Sequence, residues 1–204
     1  MYSIVRLALG CIFNGVSVTA IKKSKAIHKN ILYVVFTSIS VILVVALAFL
    51  PFENLFITFS SPKAAYEYYT LGKSNIQLVV EGNNCDLVID RQSEADIYLI
   101  IPKMANGWKI GIGANTRRII QKISKETIVY VYQYESTNDY FVTVFNKSGG
   151  ESMISDEYGT SFLPLETYNE PLRKTFVTYY AHISDLDPEY SVIVNGNRIV
   201  LKGQ

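Results

Sequence analysis

Ile31–Leu50 is a run of 20 residues without a charge. As a helix rising ~1.5 Å per residue it would reach ~30 Å, the thickness of a bilayer's hydrocarbon core. It therefore predicts a single transmembrane helix and divides the chain into a short basic start and a long tyrosine-rich remainder. Residues 1–52 hold five cations (Arg6, Lys22, Lys23, Lys25, Lys29) and no acid, whereas residues 53–204 hold 14 Lys/Arg against 18 Asp/Glu. Cations flanking a span hold their side in the cytoplasm. The expected order is a basic cytoplasmic segment 1–30, a signal-anchor 31–50, a juxtamembrane linker 51–60 and an extracytoplasmic β-rich domain 61–204.

An alternative end to the apolar run is cleavage. Ala46-Leu47-Ala48 has the small-x-small form that signal peptidase reads, and a cut near Ala48 would release a secreted β-domain. Phe49, Phe52 and Phe56 continue past that point like an interfacial belt, with Pro51 ending the helix, and this supports an anchor. The weakly apolar residues 7–21 are too short and polar for a span. Cys11 and Cys85 lie on either side of the run, so the β-rich domain has no internal disulfide. Its net negative charge argues against nucleic acid as a partner.

After the apolar run the pattern turns briefly helical. Ser60-Ser61-Pro62 provides a cap and a first-turn proline, Ala64, Tyr68 and Leu71 give one apolar stripe, and Gly72 supplies a stop. Alternation then takes over. Ile76–Glu81, Asp86–Asp90, Ile97–Ile101, Trp108–Ile112, Ile119–Ile123, Ile128–Tyr134, Tyr140–Phe145, Thr175–Ile183, Ser191–Val194 and Arg198–Leu201 read as strands. Asn195-Gly196 is the strongest hairpin signal, Asn106-Gly107 a second and Glu81-Gly82-Asn83-Asn84 a third. Residues 147–174, with Gly149-Gly150, Pro164 and Pro171, read as one long connection holding a brief strand or helical turn. The fold class expected is one transmembrane helix plus a mainly-β domain, an antiparallel sandwich or curved sheet, preceded by one short helix.

The chemistry-bearing residues are sparse. His182 alternates within a strand and has no recognisable nucleophile motif, so a structural role outweighs catalysis, and Cys85 beside Asp86 lacks the cations that activate a thiol. Ser60-Ser61-Pro62-Lys63 has serine-x-x-lysine spacing, but its companion elements are missing and helix capping explains it. Gly111-Ile112-Gly113 begins like a phosphate loop that Thr116 breaks. Asp185, Asp187 and Glu189 open like a calcium loop and stop, and no His/Cys set has zinc spacing, so neither metal nor cofactor is expected.

Tyr130, Tyr132 and Tyr134 share one strand face and, with the cations Arg117 and Arg118, form the candidate partner-binding surface. Such a ladder stacks on sugar rings or packs an apolar partner, and it also serves as a half-buried sheet wall.

Lys22-Lys23-Ser24-Lys25, the single apolar run, Ser61-Pro62, Gly107-Trp108-Lys109-Ile110 and Val194-Asn195-Gly196-Asn197 together give a layout that resembles small uncharacterised single-pass membrane proteins of Gram-positive bacteria. The resemblance carries no established activity. The expected function is a non-enzymatic, membrane-anchored binding domain in contact with the lipid bilayer, whose partner is another envelope protein or a cell-wall polymer. The alternative is a small envelope hydrolase using His182 with a carboxylate.

Overall fold

The computed structural model describes residues 57–92, 95–110, 116–135 and 137–201, together with 12, 15, 19, 31 and 34–42. The chain forms two compact units, 1–56 and 57–204. In the first unit the described residues are helical. Among the described residues no helix is long and apolar enough to cross a membrane. This corrects the expected transmembrane signal-anchor, and with it the single-pass membrane placement and the cytoplasmic and extracytoplasmic sides assigned from it. Hydropathy reports how apolar a run is, whereas spanning also requires one helix of ~30 Å, and apolar composition alone does not supply that. The cleavage point at Ala48, the Cys11 context and the aromatic belt of Phe49, Phe52 and Phe56 lie outside the described residues.

The second unit begins with helix α1 (Pro62–Tyr69) and continues as β1 (Ile76–Val80), β2 (Cys85–Gln92), β3 (Ala95–Met104), β4 (Gly107–Trp108), β5 (Thr116–Ser124) and β6 (Thr127–Tyr134). It ends with β7 (Tyr140–Asn146), β8 (Ile154–Asp156), β9 (Leu163–Asn169), β10 (Lys174–Ile183), β11 (Ser191–Val194) and β12 (Asn197–Val200). These make three sheets in place of the two-layer sandwich or single curved sheet expected. Sheet I has the order β1-β2-β3-β4, sheet II β5-β6-β7-β10-β9 and sheet III β12-β11-β8.

Alternation along each strand sorts the side chains into three cores. On β10, Val177, Tyr179 and Ile183 join Val129, Val131, Val142 and Val144 of sheet II against Tyr190, Val192, Val194 and Ile199 around sheet III. Tyr180 on the opposite face of β10 joins Phe141, with Tyr132 and Tyr134 packed alongside, against Leu87, Ile89 and Ile100 of sheet I. The far face of sheet I, through Val88, Leu99 and Ile101, receives Ala65, Tyr66 and Tyr68 of α1 and Phe59. Sheet II is thus buried on both faces, which is why its central strands read as near-continuous apolar runs. Each fully buried aliphatic side chain stabilises the unit by roughly 1.5–3 kcal/mol.

Helix α1 starts as its sequence dictates, with Ser61 Oγ accepting from Ala64 N at 3.1 Å and proline in the first turn. The apolar stripe differs from expectation: Leu71 lies beyond the helix at φ 56 and is 61% exposed, and the buried face is Ala65, Tyr66 and Tyr68. Tyr66 hydroxyl donates to Asp90 Oδ2 at 3.0 Å, and Asp90 also accepts from Asn75 N and Gln92 Nε2. Tyr66→Phe should therefore lower unfolding free energy by about 1–2 kcal/mol, measurable in urea.

Two strands were hidden in 147–174. The short β8 pairs only with β11, and β9 carries Pro164 and alternates exposed and half-buried residues. Sheet II ends on β9, and an edge strand tolerates a proline that a central strand would reject. The Asn195-Gly196 hairpin forms as expected, with φ 49 and 80 and Val194 paired to Asn197. At the second signal the connection is shorter than expected: Met104 pairs with Gly107, so the turn is Ala105-Asn106.

Candidate functional site

Residues of sheets I and II line a cleft of about 400 Å³. Its apolar lining is Tyr98 of β3, Tyr130 of β6, Phe145 of β7, Phe176 of β10 and Leu172 from the β9–β10 turn. The polar lining is Asp96, Thr143, Thr167, Asn169 and Thr178. The register of sheet II creates this mixture: Tyr130 stands opposite Thr143, Phe145 opposite Thr178, and Phe176 opposite Thr167. Rings and hydroxyls therefore alternate across four neighbouring strands on one sheet face.

The polar groups differ in how far they are satisfied. Arg91 donates from Nε to Asp96 Oδ1 at 2.9 Å and from Nη2 to Thr167 Oγ1 at 2.5 Å. Asn169 Oδ1 accepts from Leu172 N at 3.0 Å. Thr143 is 1% exposed, and its Oγ1 has no hydrogen-bond partner. A buried hydroxyl without a partner costs roughly 1–3 kcal/mol, and native structures hold few of them. Burial pushes the Tyr98 and Tyr132 phenols up, so both are neutral donors at physiological pH.

A second polar cluster is built on Asp139, in the β6–β7 connection, whose side chain is wholly buried. Its carboxylate accepts from Asn83 N at 3.0 Å, Asn84 N at 2.7 Å and Cys85 Sγ at 3.6 Å, and it bonds His182 Nε2 at 2.6 Å. Burial alone would raise the Asp139 pKa, but the hydrogen bonds from Asn83, Asn84 and His182 outweigh it and hold the carboxyl below its ordinary value. Burial, reinforced by the Asp139 charge, pushes the Cys85 thiol up to about 12. Such a thiol is not a nucleophile at neutral pH.

The sequence-selected residues fall as follows. Tyr130, Tyr132 and Tyr134 share one face of β6, turned toward sheet I and half-buried. Tyr132 stacks on Tyr98 at 5.2 Å between centroids, and of the three only Tyr130 lines the cleft. Arg117 and Arg118 are exposed on the edge strand β5, and Arg118 lies over the Tyr130 ring at 5.3 Å. His182 sits beside Asp139, away from the cleft lining. Ser61 caps α1, while Asp187 Oδ1 accepts from Glu189 N at 2.7 Å in a turn. Gly111–Asn115 lie outside the described residues, and Thr116 Oγ1 accepts from Ile100 N at 2.9 Å.

Sequence reasoning missed Asp139 and Thr143. A lone acid in a loop and a threonine in a strand carry no motif. The only signal for Thr143 was a polar residue at an inward position of the apolar strand Tyr140–Asn146. Among the described residues no group of three His, Cys, Asp or Glu side chains could hold a metal ion. Comparison with family models, with curated proteins and with solved structures returns no match to this chain.

Proposed function

We propose that the chain is a binding domain without catalytic activity of its own, and that it takes its ligand in the cleft between sheets I and II. The observation that carries this reading is Thr143, a residue of the cleft lining whose buried Oγ1 has no hydrogen-bond partner among the described residues. A pocket wall that is largely aromatic with a few placed polar groups is the common form of a small-molecule site.

The hydrolytic alternative would rest on His182 and Asp139. Among the described residues, no serine, threonine or accessible cysteine is hydrogen-bonded to that imidazole, and Nε2 is committed to a carboxylate that also holds two turn amides. The pair therefore has the form of a brace between β10 and the β1–β2 turn.

The test is a titration of the full chain, labelled with ¹⁵N, against a panel of sugars, small aromatics and aliphatic amides. Binding in the cleft should move the amide signals of Tyr98, Tyr130, Thr143 and Phe176, with His182→Ala leaving the response in place. If no compound shifts them, or the shifts gather around His182 instead, the proposal fails.

A further inference from the structure

We infer that the ligand of the cleft is an uncharged sugar ring, taken singly or as a disaccharide. The inference rests on the cleft being the ligand site. Its first support is the alternation on sheet II, where each ring in the cleft stands opposite a threonine on the neighbouring strand. A pyranose has the matching pattern, an apolar C–H face bordered by hydroxyls that both donate and accept. Its face packs on Tyr130, Phe145 or Phe176, and its edge meets threonine hydroxyls.

The second support is the inventory of unused hydrogen-bonding capacity. Thr143 Oγ1 is wholly unpartnered. Thr167 Oγ1 accepts from Arg91, which leaves its own proton to donate. Asn169 uses its carbonyl on Leu172 N, and its amide protons remain for a ligand. Asp96 retains lone pairs beyond those that Arg91 takes. Donors and acceptors are thus mixed around one aromatic floor. A flat aromatic ligand would leave them unpaired, whereas ring hydroxyls satisfy both kinds.

Charge decides against the other ligands that aromatic pockets take. Arg118 lies 5.3 Å from the Tyr130 centroid and Lys174 5.7 Å from that of Phe176, so a quaternary ammonium would meet a like charge at the rings it needs. The cleft volume, about 400 Å³, is at the small end of the roughly 300–1,000 Å³ typical of ligand pockets and suits one or two rings.

Saturation-transfer NMR on the full chain tests the inference. The probes are glucose, galactose, mannose, N-acetylglucosamine and their disaccharides, with benzamide as a flat aromatic lacking hydroxyls. At least one sugar should give a saturable signal strongest on the C–H protons of one ring face. Thr143→Val, which keeps the side-chain shape, should weaken that sugar about tenfold while leaving thermal stability equal or higher. A purely structural Thr143 would give the reverse pattern. Absence of saturable binding by every sugar, or equal affinity in Thr143→Val, overturns the inference. In that case benzamide binding that shifts Tyr130 and Phe176 would leave the cleft as a ligand site of another class, and its failure too would remove both readings.

Discussion

Asp139→Ala should lower the unfolding free energy by about 4 kcal/mol, a large share of the ~5–15 kcal/mol typical of a domain. The magnitude follows from what the substitution strands. The Asn83 and Asn84 amides and His182 Nε2, all part-buried, lose their acceptor, and the wholly buried Asp139 site that held them is emptied, the kind of loss that costs roughly 3–5 kcal/mol when a buried pair is broken. Backbone donors cannot re-aim freely, and Gly82 is closely enclosed, since even a Cβ added there would stand 3.1 Å from the Phe141 ring and 3.2 Å from that of His182. Differential scanning calorimetry should show a melting temperature about 8–16 °C lower. A loss under about 1 kcal/mol would mean the brace is dispensable.

The same residue gives the effect a pH signature. The Asp139 pKa is held below its ordinary 3.8 in the fold. A depressed acid contributes stability that is fully present above its unfolded value and lost as pH falls through the folded one. The gap between wild type and Asp139→Ala should shrink as pH falls below about 4. Asp156, lowered likewise because hydrogen bonds from Thr160 and Tyr190 outweigh its burial, adds to the acid sensitivity of both proteins equally.

Gly107→Ala is the second large expectation, about 3 kcal/mol or more. Gly107 has φ 128, a region L side chains rarely adopt, and an added Cβ would stand 2.2 Å from the Phe59 carbonyl oxygen. The contact is backbone, so no rotamer change relieves it. The bridge between Phe59 and Trp108 would open, with its hydrogen bonds of 2.8 and 2.9 Å. Trp108 is the sole tryptophan, and its Nε1 donates to Asp86. Its emission should shift to the red in the native variant, alongside the lower urea midpoint. Gly150→Ala is the control. It too has a positive φ, but open space at the Cβ position, so it should cost only about 1–2 kcal/mol and leave the emission unchanged. Equal effects of the two would show that φ alone, and not the close approach, sets the cost.

The contrast at Gly107 shows what a sequence displays of this fold and what it hides. Asn106-Gly107 read as a turn dipeptide, yet the glycine is required one residue later, by a strand that meets it from position 59. Local requirements were legible: the Ser61 cap, the Asn195-Gly196 turn, and the alternation of β1–β3, β5–β7 and β10–β12. Requirements that arise between distant segments were not. β9 was obscured because an edge strand shares its composition with a loop, and only β10 makes it a strand. In the cleft, Tyr130 was reached through its ladder, whereas Tyr98, Phe145 and Phe176 come from three other strands. Thr143 stands out only because its buried Oγ1 has no hydrogen-bond partner among the described residues. The 31–50 run is a different case: apolar composition speaks to burial away from water, and it does not by itself specify a membrane-spanning helix.

The strand order of sheet II also sets a timetable. β7 lies beside β10, so Phe145 faces Thr178 across an excursion of chain, 146–177, that carries β8 and β9. The hairpins β5–β6, β6–β7 and β9–β10 can zip from adjacent sequence, but β10 must travel back to reach β7. The entropy of closing that excursion is met before any contact between β10 and β7 repays it. Assembly is therefore expected to wait on the arrival of β10, which completes sheet II and the floor of the cleft together.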